Sequence, residues 1–525
     1  MKVLSFLSQK NRVVILFIFL INIITVQAQS VNPVMKFTVS MPNPENHYFH
    51  IELNCSGWKE ETIVFKMPNW MPGYYQMMDY GKMVENFEAK CNNKNVAVKK
   101  LADNAWEIKV TKNKSFSLSY NVKAEKVFVA NSFLDATHAY LVPCSLFVYL
   151  NENLSIPVSV KIAGTKAGMK IATGLEQLNG NATEFYASDF DILYDSPLLI
   201  GDLEELPSFK VKGIAHRFIG YKLGNFDKAA FMNNLKKVVE SAVAVIGDIP
   251  YKQYTFIGIG PGQGGIEHLN NTTVSFDGNG LDNPDAMTTM MNFLAHEYFH
   301  HYNVKRIRPF ELGPFDYDKG NRTNLLWVSE GLSVYYEYLI VKRAGLISKQ
   351  TLFNNFENSI NAFENSPGRL YQSLTQSSYE TWSDGPFGKQ GENANKAISY
   401  YDKGPAVGLI LDFAIRKATQ NQKSLDDVMR FLYWQYYKKM QRGFTDAEFQ
   451  QACEITAGVS LANVFEYVYT AKEIDYNTYL SYAGLRLNEQ IAADTKSKKY
   501  SLQFLDSKDQ IQLKVLQSWL DQEQQ

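Results

Sequence analysis

The sequence is poor in cysteine and nearly balanced in charge. Only four cysteines occur in 525 residues. No two of them have the CxxC spacing, so none looks like a zinc ligand. The formal net charge is -1, which gives no electrostatic reason to expect nucleic acid or an anionic membrane as a partner. No GK[ST] follows the glycines near residue 260, which excludes a phosphate loop. Hydrophobic residues make up 45% of the chain, as in folded proteins with large cores.

Long apolar runs are also missing, apart from one at the start of the chain. There Lys2, Lys10 and Arg12 precede "VVILFIFLINIITV" and the small-residue ending "VQA". This pattern predicts a signal peptide at 1–28, removed before Gln29. A retained membrane anchor is the alternative, but the run is short for a spanning helix. We therefore expect an exported protein, periplasmic or secreted, that has no membrane association after cleavage.

An exported chain can form disulfides, and Cys55 and Cys91 are the nearest such pair in sequence. Isolated buried thiols are the alternative for these cysteines. The sequence does not decide between the two, and it does not indicate an oligomeric state.

A chain of this length should divide into two or three domains. Residues 29–205 alternate apolar and polar residues in segments such as "KFTVSM" and "HIELNCSG", which predicts a β-rich domain, either a sandwich or an open, saddle-like sheet. Residues 206–485 are mostly helical in pattern, with a strand at "YTFIGIG" and a long loop from Phe363 to Ala397. Residues 486–525 form a short, weakly patterned C-terminal segment.

The stretch "LAHEYFHHYNVKR" holds three of the eight histidines. Asn283 and Pro284 are typical of the start of the helix that carries it. His296 and His300 are four residues apart, so both imidazoles lie on one helix face and can bind one zinc ion. Glu297 then lies beside the metal as a general base. His301 is off that face, and we interpret it as an outer residue or an exposed one.

A catalytic zinc site needs a third protein ligand. A following helix, "WVSEGLSVYYEY", offers Glu330 and, seven residues later on nearly the same face, Glu337. The motif HExxH followed by a W-x-x-E-G helix resembles the gluzincins, the aminopeptidase N superfamily of zinc peptidases. That resemblance implies Glu330 as the third ligand, one Zn²⁺ per chain and a thermolysin-like catalytic domain.

Further motifs resemble the glycyl aminopeptidase family, exported relatives of aminopeptidase N. They are "NVKRIRP" directly after the HExxH motif, "GGIEH" at 264–268, "ISYYDKGPAVGLILD" and "SLDDVMRFLYWQ". The resemblance covers about residues 30 to 485. Members of that family commonly carry a PDZ domain next, but the forty residues after 485 are too few for a complete one.

The "GGIEH" stretch follows a predicted strand. Its glycines, Gly264 and Gly265, allow a substrate backbone to approach closely. Glu267 is available to pair with a cationic amine, and the resemblance implies that it binds the free amino terminus of a peptide, with His268 beside it. Tyr401 in "YYDKG" matches the superfamily tyrosine that donates to the oxyanion. Tyr400 is the neighbour that could take its place, and a core tyrosine is the alternative.

These features predict a zinc aminopeptidase that removes small first residues, Gly or Ala, from peptides with a free amino terminus. An endopeptidase or oligopeptidase with the same zinc chemistry is the second hypothesis. A non-catalytic peptide-binding scaffold is the third, although the intact HExxH argues against it.

Overall fold

A computed structural model describes residues 34–112, 114–151, 153–491 and 498–521, all within one compact unit. The predicted signal peptide lies outside these residues. Among the helices that the structure describes, none has the length and hydropathy needed to cross a membrane.

The first region is built of β-strands joined by turns, short 3₁₀ helices and one short α-helix. Its strands, in chain order, are β1 Val34–Ser40, β2 Tyr48–Ser56, β3 Thr62–Lys66, β4 Val84–Cys91, β5 Lys94–Val96, β6 Val98–Ala102, β7 Ala105–Lys109, β8 Phe116–Lys123, β9 Phe133–Leu134, β10 His138–Leu141, β11 Tyr149–Leu150, β12 Val158–Ala163, β13 Lys170–Thr173, β14 Glu176–Gln177, β15 Glu184–Ala187 and β16 Leu198–Gly201.

An eight-stranded sheet is the main layer of this region, in the order β14-β15-β12-β1-β2-β8-β4-β5. Two four-stranded sheets, β13-β16-β10-β9 and β11-β3-β7-β6, accompany it. Alternate residues of β1, β2 and β8 are buried, because successive side chains of a strand point to opposite faces. The β-rich prediction for this region is therefore confirmed.

All four cysteines are buried and unpaired. Cys55 of β2 and Cys91 of β4 both lie opposite Phe116 of β8, which runs between them. Two strand spacings separate the thiols by about 9–10 Å, which is too far for a disulfide. Of the two possibilities left open by the sequence, the isolated buried thiol is correct.

The second region begins with a smaller sheet whose strands are β17 Glu204–Glu205, β18 Phe209–Val211, β19 Ile214–Gly220, β20 Gln253–Gly258, β21 Gly265–Glu267 and β22 Asn271–Val274. Strands β19, β20 and β22 are parallel, and β21 pairs antiparallel to β22 at the edge. The "GGIEH" stretch therefore has an open strand edge on one side.

The helices dominate the rest of the chain. They are α1 Phe190–Tyr194 in the first region, then α2 Lys228–Ile246, α3 Pro284–Phe299, α4 Leu332–Arg343, α5 Lys349–Glu364, α6 Leu374–Asp384, α7 Tyr400–Ala418, α8 Leu425–Leu432, α9 Asp446–Ala457, α10 Ala462–Tyr469, α11 Tyr476–Leu480 and α12 Gln510–Leu520. A π-helical segment, Trp327–Gly331, directly precedes α4. A second one, Tyr433–Met440, directly follows α8.

Helix α3 begins as predicted, since the Asn283 side chain accepts hydrogen bonds from two backbone amides and Pro284 occupies the first turn. It ends at Phe299, and the turns that follow include Val304 with a φ of +133°. A β-branched residue in that conformation is strained, so the surrounding contacts must impose it.

The predicted loop from Phe363 to Ala397 is partly wrong, because α6 lies within it. Ser373 and Gln376 form a reciprocal capping box that starts this polar helix. The C-terminal segment also has structure, since β23 Leu485–Ile491 and β24 Lys498–Phe504 form a hairpin that packs on α5.

Part of the interface between the two regions lies around the loop that follows β3. Trp70 and Tyr75 of that loop belong to the hydrophobic core of the helical region. The Trp70 indole donates to the Asp316 carbonyl at 2.7 Å, and Lys66 pairs with Asp318 at 2.9 Å. A segment of the β-rich region is thus held against the helices that carry the site.

Candidate active site

Helix α3 places the first two candidate ligands. His296 and His300 are buried and lie one turn apart, as their spacing predicts. Their Nε2 atoms are 2.8 Å apart. Both imidazoles therefore point to one spot.

The π-helix before α4 brings Glu330 to the same spot. Its Oε2 lies 3.2 Å from Nε2 of His300 and 3.5 Å from Nε2 of His296. Ligand atoms of a tetrahedral zinc ion, at 2.0–2.1 Å from the metal, are about 3.3 Å apart. Two imidazoles and one carboxylate at this separation fit zinc, and such a set leaves a fourth position for water.

Two glycines allow the π-helix to reach this position. A Cβ on Gly331 would lie 2.7 Å from the Gly404 Cα, and one on Gly404 would lie 2.5 Å from the Gly331 Cα. The backbones of the π-helix and α7 therefore touch directly. Single π-turns within helices often occur at functional sites, and here the turn carries Glu330.

Helix α7 brings Tyr401 to the cluster through this close contact. Its hydroxyl donates to Oε2 of Glu330 at 2.9 Å. Burial and the Glu330 carboxylate raise the pKa of Tyr401 well above its usual value, so the phenol stays protonated and can donate. Tyr400, the sequence alternative, instead bonds to Thr381 at 3.1 Å in the core.

Two polar residues orient the histidine rings. Oε2 of Glu337 lies 2.9 Å from Nδ1 of His296, and the Asn303 carbonyl lies 2.8 Å from Nδ1 of His300. Contacts of this kind hold metal-binding imidazoles in one tautomer and orientation. Glu337 therefore lies behind His296, outside the group formed by the Nε2 atoms and Glu330. The Asn303 amide also donates to the Val328 carbonyl, at 2.8 Å, and so ties the end of α3 to the π-helix.

Glu297 is buried beside the two histidines. A Cβ on Gly265 would lie 2.6 Å from its carboxyl carbon, so the absence of a side chain there makes room for the carboxylate. Burial raises the pKa of Glu297 to about 7, although the positive potential of His296 and His300 opposes this. A carboxylate with a pKa near neutrality is suited to both accept and return a proton.

Edge strand β21 carries Glu267 on the same face as Gly265, because residues two apart share a face. Their spacing along the strand is about 7 Å. The Glu267 carboxylate is buried, and its Oε1 has no hydrogen-bond partner among the described residues. Gly73 of the first region lies against it, since a Cβ there would be 2.9 Å from Oε2. A buried carboxylate with an unpartnered Oε1 thus lies two residues along β21 from Gly265, which contacts Glu297.

Two protein-family models match the chain. The Peptidase M61 N-terminal domain matches residues 36–202, and the M61 glycyl aminopeptidase domain matches residues 289–407. The chain belongs to the M61 glycyl aminopeptidase family. It is a zinc aminopeptidase, a hydrolase of peptide bonds.

Solved structures share the fold of this M61 enzyme. An aminopeptidase N family protein from Idiomarina loihiensis is 25% identical, with a TM-score of 0.82 over 88% of this chain and 81% of that chain. An M1 zinc metallopeptidase from Deinococcus radiodurans is 14% identical, with a TM-score of 0.53 over 85% and 94%. A variant of the latter, bound to a Tyr-Ser-Ala substrate, gives 0.52 at 14% identity, over 85% and 96%. Among curated proteins, none matches the chain.

The M61 enzyme contains one buried ion cluster next to its edge strand that the sequence did not indicate. Asp195 of the first region accepts from Lys305 at 2.8 Å and from the Leu269 amide at 2.7 Å. Nδ1 of His268 lies 3.3 Å from the same carboxylate. Burial alone would raise the pKa of Asp195, but Lys305 and His268 lower it to about 2. The cluster fixes the backbone immediately after Glu267.

Three further residues singled out in the sequence are Gly264, His268 and His301. Gly264 is exposed, at a φ of +88°, and its carbonyl accepts from the Ser275 amide at 3.0 Å. His268 is 1% exposed, and its Nε2 has no partner among the described residues. The suggestion that His301 is exposed is wrong, because it is completely buried among tyrosine rings. It packs edge-on against Tyr254 and Tyr298, since the chain has already left the helical path there.

Proposed function

We propose that the enzyme removes single small residues, Gly or Ala, from peptides with a free amino terminus. The observation that carries this proposal is the buried carboxylate of Glu267, whose Oε1 has no partner among the described residues. A buried carboxylate is costly unless it meets a cation, and a protonated α-amine supplies one. Gly73 closes the space around that carboxylate, which supports a small first residue.

His296, His300 and Glu330 hold a single Zn²⁺ in this proposal. Zinc, when bound, supplies Lewis-acid activation of water and of the scissile carbonyl. Glu297 takes the proton of the attacking water and returns it to the leaving amine, for which its pKa of about 7 is suitable. The Tyr401 hydroxyl donates to the developing oxyanion, and Glu267 holds the α-amine.

Export is part of the proposal: the signal peptide predicted at 1–28 supports a location in the periplasm or outside the cell. The substrates in that compartment are peptides, and neither nucleic acid nor a membrane is part of the proposal. Residues Gly264, Gly265 and His268 support the edge strand on which the peptide lies.

The test compares free and N-acetylated Gly- and Ala-peptides, with and without a chelator. We expect cleavage of the free peptides only, and loss of this activity on chelation. Equal cleavage of acetylated peptides would show an endopeptidase, and indifference to chelator would exclude the zinc chemistry.

A variant pair sharpens the result. Glu267→Gln removes the charge that pairs with the α-amine, which costs about 2–3 kcal/mol, or roughly 30- to 150-fold in kcat/KM for free peptides. Glu52→Gln, an exposed glutamate of strand β2, is the matched control and leaves the rate unchanged. Unchanged kcat/KM in Glu267→Gln would exclude the amine-binding role.

A further inference from the structure

An exposed aromatic side chain stands next to the proposed oxyanion donor. Phe387 is 59% exposed, and its ring centroid lies 5.4 Å from that of Tyr401. Tyr401 in turn donates to Glu330 and lies 6.2 Å, ring to ring, from His296. Its position beside an active-site group matters here, because aromatic side chains commonly line ligand sites.

The protein holds this ring in a defined place. The Ser399 hydroxyl donates to the Pro386 carbonyl at 3.3 Å and accepts from the Tyr401 amide at 3.1 Å, where it caps α7. Gly388, at a φ of +63°, packs so closely that a Cβ would lie 2.6 Å from the Ile398 carbonyl. The residues before and after Phe387 are thus anchored to the segment that begins α7, so the ring and Tyr401 are positioned together.

The course of a bound peptide leads past this ring. The α-amine end is enclosed, since Glu267 is 4% exposed and Gly73 lies against it. In the proposed reaction, the scissile carbonyl faces Tyr401. The rest of the peptide must leave toward solvent from that point, and Phe387 is the exposed ring in contact with Tyr401 there.

We propose that Phe387 is a specificity-determining residue that binds the side chain of the second residue of the peptide. The proposal rests on the aminopeptidase function above, and it names the substrate class: free peptides with a small first residue and an aromatic or large apolar second residue. Aromatic rings pair at centroid distances of 4.5–7 Å, and an apolar side chain on an exposed ring removes surface of both from water.

The test measures kcat and KM for Gly-Phe-Gly, Gly-Leu-Gly, Gly-Ser-Gly and Gly-Asp-Gly. We expect the wild type to prefer Gly-Phe-Gly over Gly-Ser-Gly by about tenfold in kcat/KM, mostly through KM, because the contact is the same in the ground and transition states. Phe387→Ala should bring that ratio close to one. Phe387→Leu, which keeps an apolar side chain, should retain part of it. The control Tyr186→Ala removes an exposed aromatic residue of β15 and leaves the ratio at the wild-type value.

Three results would overturn the proposal. They are a wild type indifferent to the second residue, a Phe387→Ala variant that keeps the preference, and a variant that loses kcat equally for all four peptides. The last result would mean that Phe387 acts only by supporting Tyr401. If the wild type cleaves acetylated peptides as well as free ones, the aminopeptidase proposal fails instead. The four-peptide comparison of the wild type with Phe387→Ala still decides the role of Phe387.

Discussion

Replacing Gly331 by alanine tests whether the glycine contact between the π-helix and α7 builds the zinc site. The new Cβ would lie 2.7 Å from the Gly404 Cα and 2.8 Å from the Tyr400 carbonyl oxygen. Both neighbours are backbone atoms, so no side-chain rotation can relieve the overlap. The π-helix that carries Glu330 must move instead.

The required movement is large compared with the tolerance of the site. Carbon atoms prefer separations of 3.5–4.0 Å, so the backbones must part by about 1 Å. Metal ligands tolerate about 0.2 Å, and a misplacement of 1 Å can cost about 10²-fold in rate. We therefore expect zinc affinity to fall by 10- to 100-fold and kcat/KM by about 100-fold. Overpacking should also lower the free energy of unfolding by about 1–3 kcal/mol.

The assay is a zinc competition titration of the metal-free protein, with kcat/KM measured at saturating zinc. Gly408→Ala is the matched control, one turn further along α7. There the Cβ meets Leu332 Cδ2 at 2.9 Å and Tyr335 Cγ and Cβ at 3.1 and 3.2 Å, so it overlaps side chains of α4 and not the backbone of the π-helix. The control should keep its zinc affinity. A Gly331→Ala variant that binds zinc as tightly as the wild type would refute the reasoning.

Three further predictions concern buried polar groups. Asp195→Asn leaves the Lys305 ammonium buried without its carboxylate, so the free energy of unfolding in urea should fall by about 3 kcal/mol; a loss below about 1 kcal/mol would contradict this. Burial lowers the pKa of His216 from 6.5 to about 4. The unfolded chain therefore takes up the proton first, so His216 should account for a loss of about 3 kcal/mol in the free energy of unfolding between pH 6.5 and pH 4. Urea denaturation at both pH values should show a loss in the wild type that is larger by this amount than in His216→Gln; equal losses would contradict the assignment. Glu337→Gln weakens the support of His296, so zinc affinity in competition titration should fall about tenfold; an unchanged affinity would show that this contact is dispensable.

The parts of the site that are local in sequence could be predicted. His296, Glu297 and His300 share one helix, so their 3.6-residue period suffices to place them together. Glu330 and Tyr401 were found through motifs, and the structure brings both to the histidines. The helical repeat of the sequence does not predict the π-helix that carries Glu330. That π-helix depends on close contact with Gly404, more than seventy residues later.

The parts contributed by tertiary contacts were missed. Gly73 and Asp195 come from the β-rich region and meet Glu267 and Lys305 only after the two regions pack. Neither residue has a distinguishing sequence context. Glu337 was recognised as a carboxylate on nearly the same face as Glu330, but its contact with Nδ1 of His296 depends on how α3 and α4 pack. The polar helix α6 was missed because its composition resembles a loop, although Ser373 and Gln376 have the spacing of a capping box.

The contact of Gly73 with the Glu267 carboxylate has a consequence for how variation in this enzyme should be interpreted. The Glu267 side chain of β21, which is proposed to hold the α-amine of the substrate, is contacted by a loop nearly two hundred residues earlier in the chain. A substitution in that loop can therefore alter KM while zinc, general base and oxyanion donor stay intact. Exchange of the β-rich region between relatives should therefore change selectivity for the first residue, even where the helical region is left unaltered.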